Sequence, residues 1–291
     1  MSRDEAERDP APAQPGDVAG GMYVLGHTSR ELDRLDLQGV LYREVTRSAM
    51  LDGGIGGGMR VLDLGCGSGD VSFLAAELVG PRGTVVGIDR ERGTIEAAQE
   101  RARSRKVTNV AFQVANVSDV LDNGPFDLLV GRFILMHQPD PSAALAGAVR
   151  NVRSGGAVIM VESSMSAIAG CHSLPQSPVY DSIVRWKCAV VGGSGADLEA
   201  GLRLRRTFLG AGLAEPITRF DAVVEGGPDS LLYTYLAESV RSMLPQARAL
   251  GIDGFDEVSV ETLADRLRED VMRLDGVLVN WPVVAAWARV P

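Results

Sequence analysis

"VLDLGCGSGD", Val61 to Asp70, decides how this chain folds. An apolar run ends in glycines at alternate positions, Gly65, Gly67 and Gly69, where missing side chains open the backbone to close approach by a ligand. The run before them, "MRVLDLG" (59–65), has strand character, and "VSFLAAELV" (71–79) behind them has helix character. The alternation continues: "GTVVGID" (83–89) strand, "RGTIEAAQERARSR" (92–105) helix, "VAFQVAN" (110–116) and "FDLLVGRFI" (126–134) strands, "PSAALAGAVRNV" (141–152) helix, "GAVIMVES" (156–163) strand. Strands this uniformly apolar, separated by helices, predict an α/β fold with a doubly wound, mostly parallel, Rossmann-like sheet covered on both faces.

Ahead of the first strand, "SRELDRLDLQGVLYREVTRSAM" (29–50) has helical spacing with Ser29 as an N-cap, and "LDGGIGGG" (51–58) links it to the sheet. After Ser164 the rhythm breaks into an irregular turn and a helix predicted to lie over the ligand edge as a cap. It resumes as a helix (196–212), a strand "EPITRFDAVVEG" (215–226), helices at 228–250 and 258–274, and a strand "PVVAAWARVP" (282–291), which brings the sheet to seven strands. The expected divisions are a disordered tail (1–21), N-terminal lid helices (22–52), a cofactor-binding core (53–165), a cap inserted after the fifth strand (166–200), and a C-terminal part of the core with additional helices (201–291).

With 291 residues, 45% of them hydrophobic, the chain can fill a sizeable core. A net charge of −9 and the lack of a basic, aromatic-interleaved run argue against nucleic acid as a partner. Lys106 and Lys187 are the only lysines among many arginines, which reads as a compositional bias of a GC-rich bacterial genome. Cys66, Cys171 and Cys188 are too few and scattered for a disulfide framework or a zinc site. Without a signal-like or membrane-length apolar stretch, the expectation is a cytoplasmic protein with no membrane partner; a homodimer stays open.

In an open parallel sheet, ligands bind beyond the carboxyl ends of the strands at the switch point, where the helix following the glycine turn points free N–H groups at them. One strand later "VVGIDR" ends in Asp89, a carboxylate suited to the two hydroxyls of an unphosphorylated ribose. A nucleotide-like cofactor follows. The dinucleotide fingerprint G-x-G-x-x-G fits badly, because counting from Gly65 its sixth position is Asp70 and glycine falls at the fifth.

With "VLDLGCGSGD", "VVGIDR", "VAFQVANVSDV", "PFDLLVGRFILMHQPDP" and "VRSGGAVIMVES" in this order, the chain resembles the class I S-adenosylmethionine-dependent methyltransferases, in particular the small-molecule branch similar to ubiquinone-biosynthesis enzymes. The resemblance covers about residues 22–165. It implies S-adenosylmethionine as cofactor, with Asp63, Gly65 and Gly67 at its methionine portion, Asp89 on the ribose, Arg90 along the adenine, and Asn116 with the Val117 backbone at the adenine amino group. Asn116 stands where the family usually has Asp, and its amide oxygen accepts the same hydrogen bond. Arg132 falls where a backbone carbonyl receives the methionine ammonium. The segment "YVLGHTSRELDRLDLQ" (23–38) resembles the branch's lid, which implies Gln38 at the cofactor carboxylate and Tyr23 beside the acceptor.

A sulfonium methyl is already electrophilic, so alignment and exclusion of water supply most of the rate, and a base is needed only where the acceptor must lose a proton. His137, after the fourth strand, is the candidate base; His27 and His172 are candidate acceptor contacts. Tyr180 and Trp186 are candidates for the cap's apolar inner face, against the plainer reading that they are core. Asp119 and Asp140 read as turn and capping residues, and no residue cluster has metal-ligand spacing. The expected activity is metal-independent methyl transfer to an oxygen, nitrogen or electron-rich carbon of a small hydrophobic acceptor, in bacterial specialised metabolism. The alternatives are an S-adenosylmethionine-binding cyclase or isomerase on the same fold, a nicotinamide-dependent oxidoreductase, and a noncatalytic partner protein.

Overall fold

The computed structural model of the chain describes residues 29–167 and 172–291. Helices α1 (Ser29–Leu41) and α2 (Arg43–Asp52) precede the alternating half: β1 (Arg60–Leu64), α3 (Asp70–Val79), β2 (Thr84–Asp89), α4 (Arg92–Ser104), β3 (Val110–Val114), β4 (Phe126–Arg132), a 3-10 turn (Leu135–His137), α5 (Pro141–Val149) and β5 (Val152–Ser163). The remainder comprises β6 (Ser173–Leu174), α6 (Pro178–Gly193), α7 (Ala200–Gly210), β7 (Ile217–Asp221), β8 (Val224–Gly226), α8 (Leu231–Ala249), α9 (Glu257–Glu261), α10 (Leu263–Leu274), β9 (Val277–Val279) and β10 (Val283–Arg289). The main sheet runs β3-β2-β1-β4-β5-β10-β7, parallel except for β10, which is antiparallel to both neighbours. The sequence predicts this seven-stranded, mostly parallel sheet. The order reverses at β1, so the glycine turn after β1 sits at the switch point.

Alternation along the strands sends side chains to two cores. Val61, Val85, Leu128, Val130 and Ile159 meet α2 and α3 on one face, while Leu62, Leu64, Val86, Leu129 and Val158 meet Leu145 of α5 and Leu204 and Phe208 of α7 on the other. Asp140 caps α5, accepting from the Ala143 N–H at 3.0 Å, as its place before Pro141 predicts. Asp119 accepts the Asn116 N–H at 2.7 Å in the loop after β3, the turn role read for it.

The C-terminal third departs from the predicted elements. Residues 215–226 read as one strand but form two, β7 in the main sheet and β8 in a small antiparallel sheet ordered β6-β9-β8. Segments 217–226 and 277–289 make one long ribbon that bends between the sheets: Val283 pairs with Asp221, Val279 with Val224, and the Asn280 N–H still reaches the Val223 carbonyl at 2.9 Å. Pro282, with no N–H to donate, stands at the bend. The Tyr42 hydroxyl fixes it, donating to the Trp281 carbonyl at 3.1 Å while accepting from Asn280 Nδ2 at 2.9 Å. Helix α8 packs against α1, α6, α9 and α10, so the layer over the carboxyl ends of the strands comes from both ends of the chain as well as from the segment after β5.

Candidate active site

The three glycines do different things. All have positive φ, +61° at Gly65, +52° at Gly67 and +95° at Gly69, a region that side chains rarely adopt. A Cβ on Gly65 would lie 2.5 Å from Ile134 Cδ1, and one on Gly69 2.8 Å from the Phe112 ring, so these two admit neighbouring protein. A Cβ on Gly67 would meet nothing within 4 Å. Gly67 therefore faces open space, and that space is a cavity of about 320 Å³ at the switch point.

Asp89 stands in its wall at the end of β2. Its Oδ2 accepts the Gly67 N–H at 3.2 Å and its Oδ1 the Glu91 N–H at 3.0 Å, which fixes the carboxylate and leaves each oxygen a further lone pair. Arg90, Asn116 and Val117 line the same cavity beyond it. At the opposite end lie Gln38 of α1, Asp70 of α3 and Arg132 of β4. Arg132 Nη1 donates to Thr46 Oγ1 at 3.1 Å, and burial holds its guanidinium below the usual arginine range against the pull of Asp70 and Asp63. Arg101 donates to Asp70 at 3.0 Å and also pairs with Asp36, tying α1 to the glycine turn. Burial raises the Asp70 carboxyl, with Arg132 and Arg101 opposing.

Asp63 is expected at the cofactor and lies instead beneath the turn. It is 1% exposed, accepts from Ser72 Oγ at 2.6 Å and is outside the cavity wall. Burial pushes it up to about 7. Strand alternation accounts for this: Asp63 points to the face that α3 covers, while Asp70, which sequence reasoning left out, opens α3 and presents its carboxylate to the cavity.

A second cavity of about 110 Å³ adjoins the first, and Gln38, Phe133 and His137 line both. Its remaining wall includes Tyr42, Met136, Met165, Lys187, Val191, Tyr235 and Trp281. Three backbone N–H groups, from Ile134, Leu135 and Met136, point to the carboxylate of Glu162 on β5 at 2.9, 2.7 and 3.4 Å, and so hold the 3-10 turn that presents His137. Burial pushes Glu162 up to about 7 against those hydrogen bonds. Burial, with Arg90 adding to it, pushes His137 down to about 4, so its imidazole is neutral at pH 7.

The expected cap residues form the interior of the accessory layer and line neither cavity among the described residues. Tyr180 is fully buried with its hydroxyl donating to the Val279 carbonyl at 2.9 Å. Trp186 stacks edge-on against Phe255 at 5.3 Å, and His172 lies 3.5 Å from Asp181. The helix is the expected one, but each residue turns it by 100°, and the face toward the cavity carries Lys187 and Val191 rather than Tyr180 and Trp186. Tyr23 and His27 lie outside the described residues. No group of three or more His, Cys, Asp or Glu is placed to hold a metal among the described residues, and no helix there is long and apolar enough to cross a membrane.

Residues 55–191 match the family described as "Methyltransferase domain". That stretch is similar to methyltransferase domains. The chain is 32% identical over 108 residues to the demethylmenaquinone methyltransferase of Lactococcus lactis, covering 37% of this chain and 43% of that protein. It is 38% identical over 102 residues to the aklanonic acid methyltransferase DauC of a Streptomyces species, covering 35% and 46%. The chain thus spans about half the length of the curated relatives it matches. The whole fold is similar to that of the YcgJ protein of Bacillus subtilis, with a TM-score of 0.56 at 15% identity over 85% of this chain and 99% of that one.

The first cavity fits S-adenosylmethionine, the cofactor that the matched family implies. Gly67 has no Cβ to fill it, Asp89 keeps lone pairs for a diol, and Arg132 and Asp70 supply opposite charges for a zwitterion at the far end.

Proposed function

We propose that the protein transfers a methyl group from S-adenosylmethionine to an oxygen, nitrogen or electron-rich carbon of a small hydrophobic acceptor, without a metal, in bacterial specialised metabolism. The observation that carries the reading is the pair of cavities meeting at Gln38, Phe133 and His137: a polar one with a glycine floor and a diol-binding carboxylate, opening into an aromatic one. The relatives that act on demethylmenaquinone and aklanonic acid support an acceptor of the small-molecule kind.

In this reading Asp89 holds the ribose, Arg90, Asn116 and Val117 border the adenine, and Gln38, Asp70 and Arg132 hold the amino-acid end. The cofactor supplies an electrophilic sulfonium methyl. Phe133, Met136 and Trp281 exclude water and fix the acceptor's approach. His137 is the proton acceptor for a hydroxyl: it is neutral, but at about 4 it is a weak base, suited only to a hydroxyl that is already acidic. A carbon acceptor, or one that arrives ionised, needs none.

Calorimetric titration with S-adenosylmethionine and S-adenosylhomocysteine tests the reading. Micromolar binding, weakened on the order of tenfold or more by Asp89→Ala, is expected, because that variant removes two charge-assisted hydrogen bonds. Preference for a nicotinamide dinucleotide overturns it. Release of S-adenosylhomocysteine during turnover separates methyl transfer from cyclisation or isomerisation in the same pocket.

A further inference from the structure

Lys187 is 2% exposed, on α6, inside the aromatic cavity. Its Nζ lies 4.1 Å from the Trp281 ring centre and 5.3 Å from that of Tyr235, and it has no hydrogen bond or ion pair among the described residues. Aromatic faces offset part of the cost of desolvating an ammonium, and a carboxylate normally supplies the rest. None does here: the described residues around this cavity include Lys187 and Arg34 but no Asp or Glu. Trp281 Nε1 is buried with no hydrogen-bond partner among the described residues. A buried lysine between two aromatic rings, with no carboxylate among the described wall residues, in a cavity that abuts the first, is the complement of an anion on a ring.

We infer that this cavity is built for an acceptor bearing a negative charge, a carboxylate or enolate on a small aromatic or polycyclic molecule, with Lys187 as its counter-ion and Trp281 and Tyr235 against its ring. This deepens the methyltransferase reading, resting on it for the word acceptor but not for the anion site. An acceptor held in ionised form brings its own nucleophilic electron pair or is anchored beside it, which removes the demand for a strong base that His137 does not meet.

Without an anion, burial pushes Lys187 down to about 7, with Arg34 contributing. The groups that face it are Arg34 from α1, Tyr42 from the α1–α2 junction, His137 from the 3-10 turn, Tyr235 from α8 and its neighbour Cys188. Affinity for an anion then falls as pH rises past 7 and the ammonium discharges.

Benzoate and its neutral counterpart benzamide are the probes, titrated into the full-length protein by calorimetry with and without S-adenosylhomocysteine. Benzoate is expected to bind at least tenfold more tightly than benzamide at pH 6.5, with that preference shrinking several-fold by pH 9 and absent in Lys187→Met. The Met variant should still bind S-adenosylhomocysteine as wild type does. Equal binding of the two probes, no binding of either, or a preference that Lys187→Met leaves intact overturns the anion site. If Lys187→Met does not fold, the wild-type pH series decides, and a preference constant from pH 6.5 to 9 overturns it. Failure of S-adenosylhomocysteine to bind while the benzoate preference persists sinks the methyltransferase reading and leaves the anion site standing.

Discussion

Residue identity matters most where one atom faces the cavity. His137 is the sharpest case, since it borders both chambers yet burial holds it near 4. With a neutral hydroxyl acceptor, His137→Ala should lower turnover on the order of a hundredfold; with a carbon or ionised acceptor it should change little. Steady-state rates on an acceptor whose methylated atom is known by mass spectrometry decide between them, and the anion inference expects the small effect. At Gly67 the open side faces the cavity, but φ is +52°, so Gly67→Ala should weaken S-adenosylhomocysteine binding and lower the melting temperature together. Weakened binding with an unchanged melting temperature would mean that the backbone relaxes and only ligand space is lost.

The elements around the site are fastened by a few buried groups. Glu162 at the end of β5 accepts three backbone N–H groups from the turn that carries His137. Glu162→Ala leaves those donors unpaired in the interior and should cost about 3 kcal/mol or more in urea denaturation, where Glu162→Gln, keeping one acceptor oxygen, should cost less. Equal costs would show that charge rather than hydrogen-bond geometry holds the turn. Arg101 plays a similar part for α1, joining Asp36 to Asp70 and the Ser68 carbonyl. The bend that carries Trp281 depends on Tyr42 and Asn280, a hydrogen-bonded pair separated by 238 residues.

At the scale of the whole molecule the buried titratable groups set the pH dependence of stability. Lys187 is about 7 in the folded protein and 10.5 when free, so between those values the unfolded chain holds more protons and stability rises with pH. The melting temperature of wild type should therefore climb relative to that of Lys187→Met from pH 7 to 10, a comparison that cancels the buried tyrosines. A constant difference would show that the ammonium is not desolvated in the folded chain. On the acid side His137 works in the same sense: its contribution is present above 6.5 and lost as pH falls through about 4, so wild type should lose stability against His137→Leu over that interval. Asp63 and Glu162 act oppositely, their folded values of about 7 favouring the folded state at low pH and losing that contribution as pH rises toward 7.

The sequence by itself determined the sheet, its parallel half and the switch point, because strand and helix periodicities and the alternate glycines are local properties of the chain. It also placed Asp89 and Arg132 at the ends of their strands and His137 just after the fourth. Only the tertiary structure decided which face of α6 looks inward, that Asp70 rather than Asp63 reaches the cavity, and that a lysine read as a compositional oddity is a buried cation over two aromatic rings. The bent ribbon escaped the sequence for the same reason, its two halves being joined by pairing across more than fifty residues. Burial and charge at these positions are made by segments far apart in the chain, and no local pattern encodes what will pack against a side chain from elsewhere.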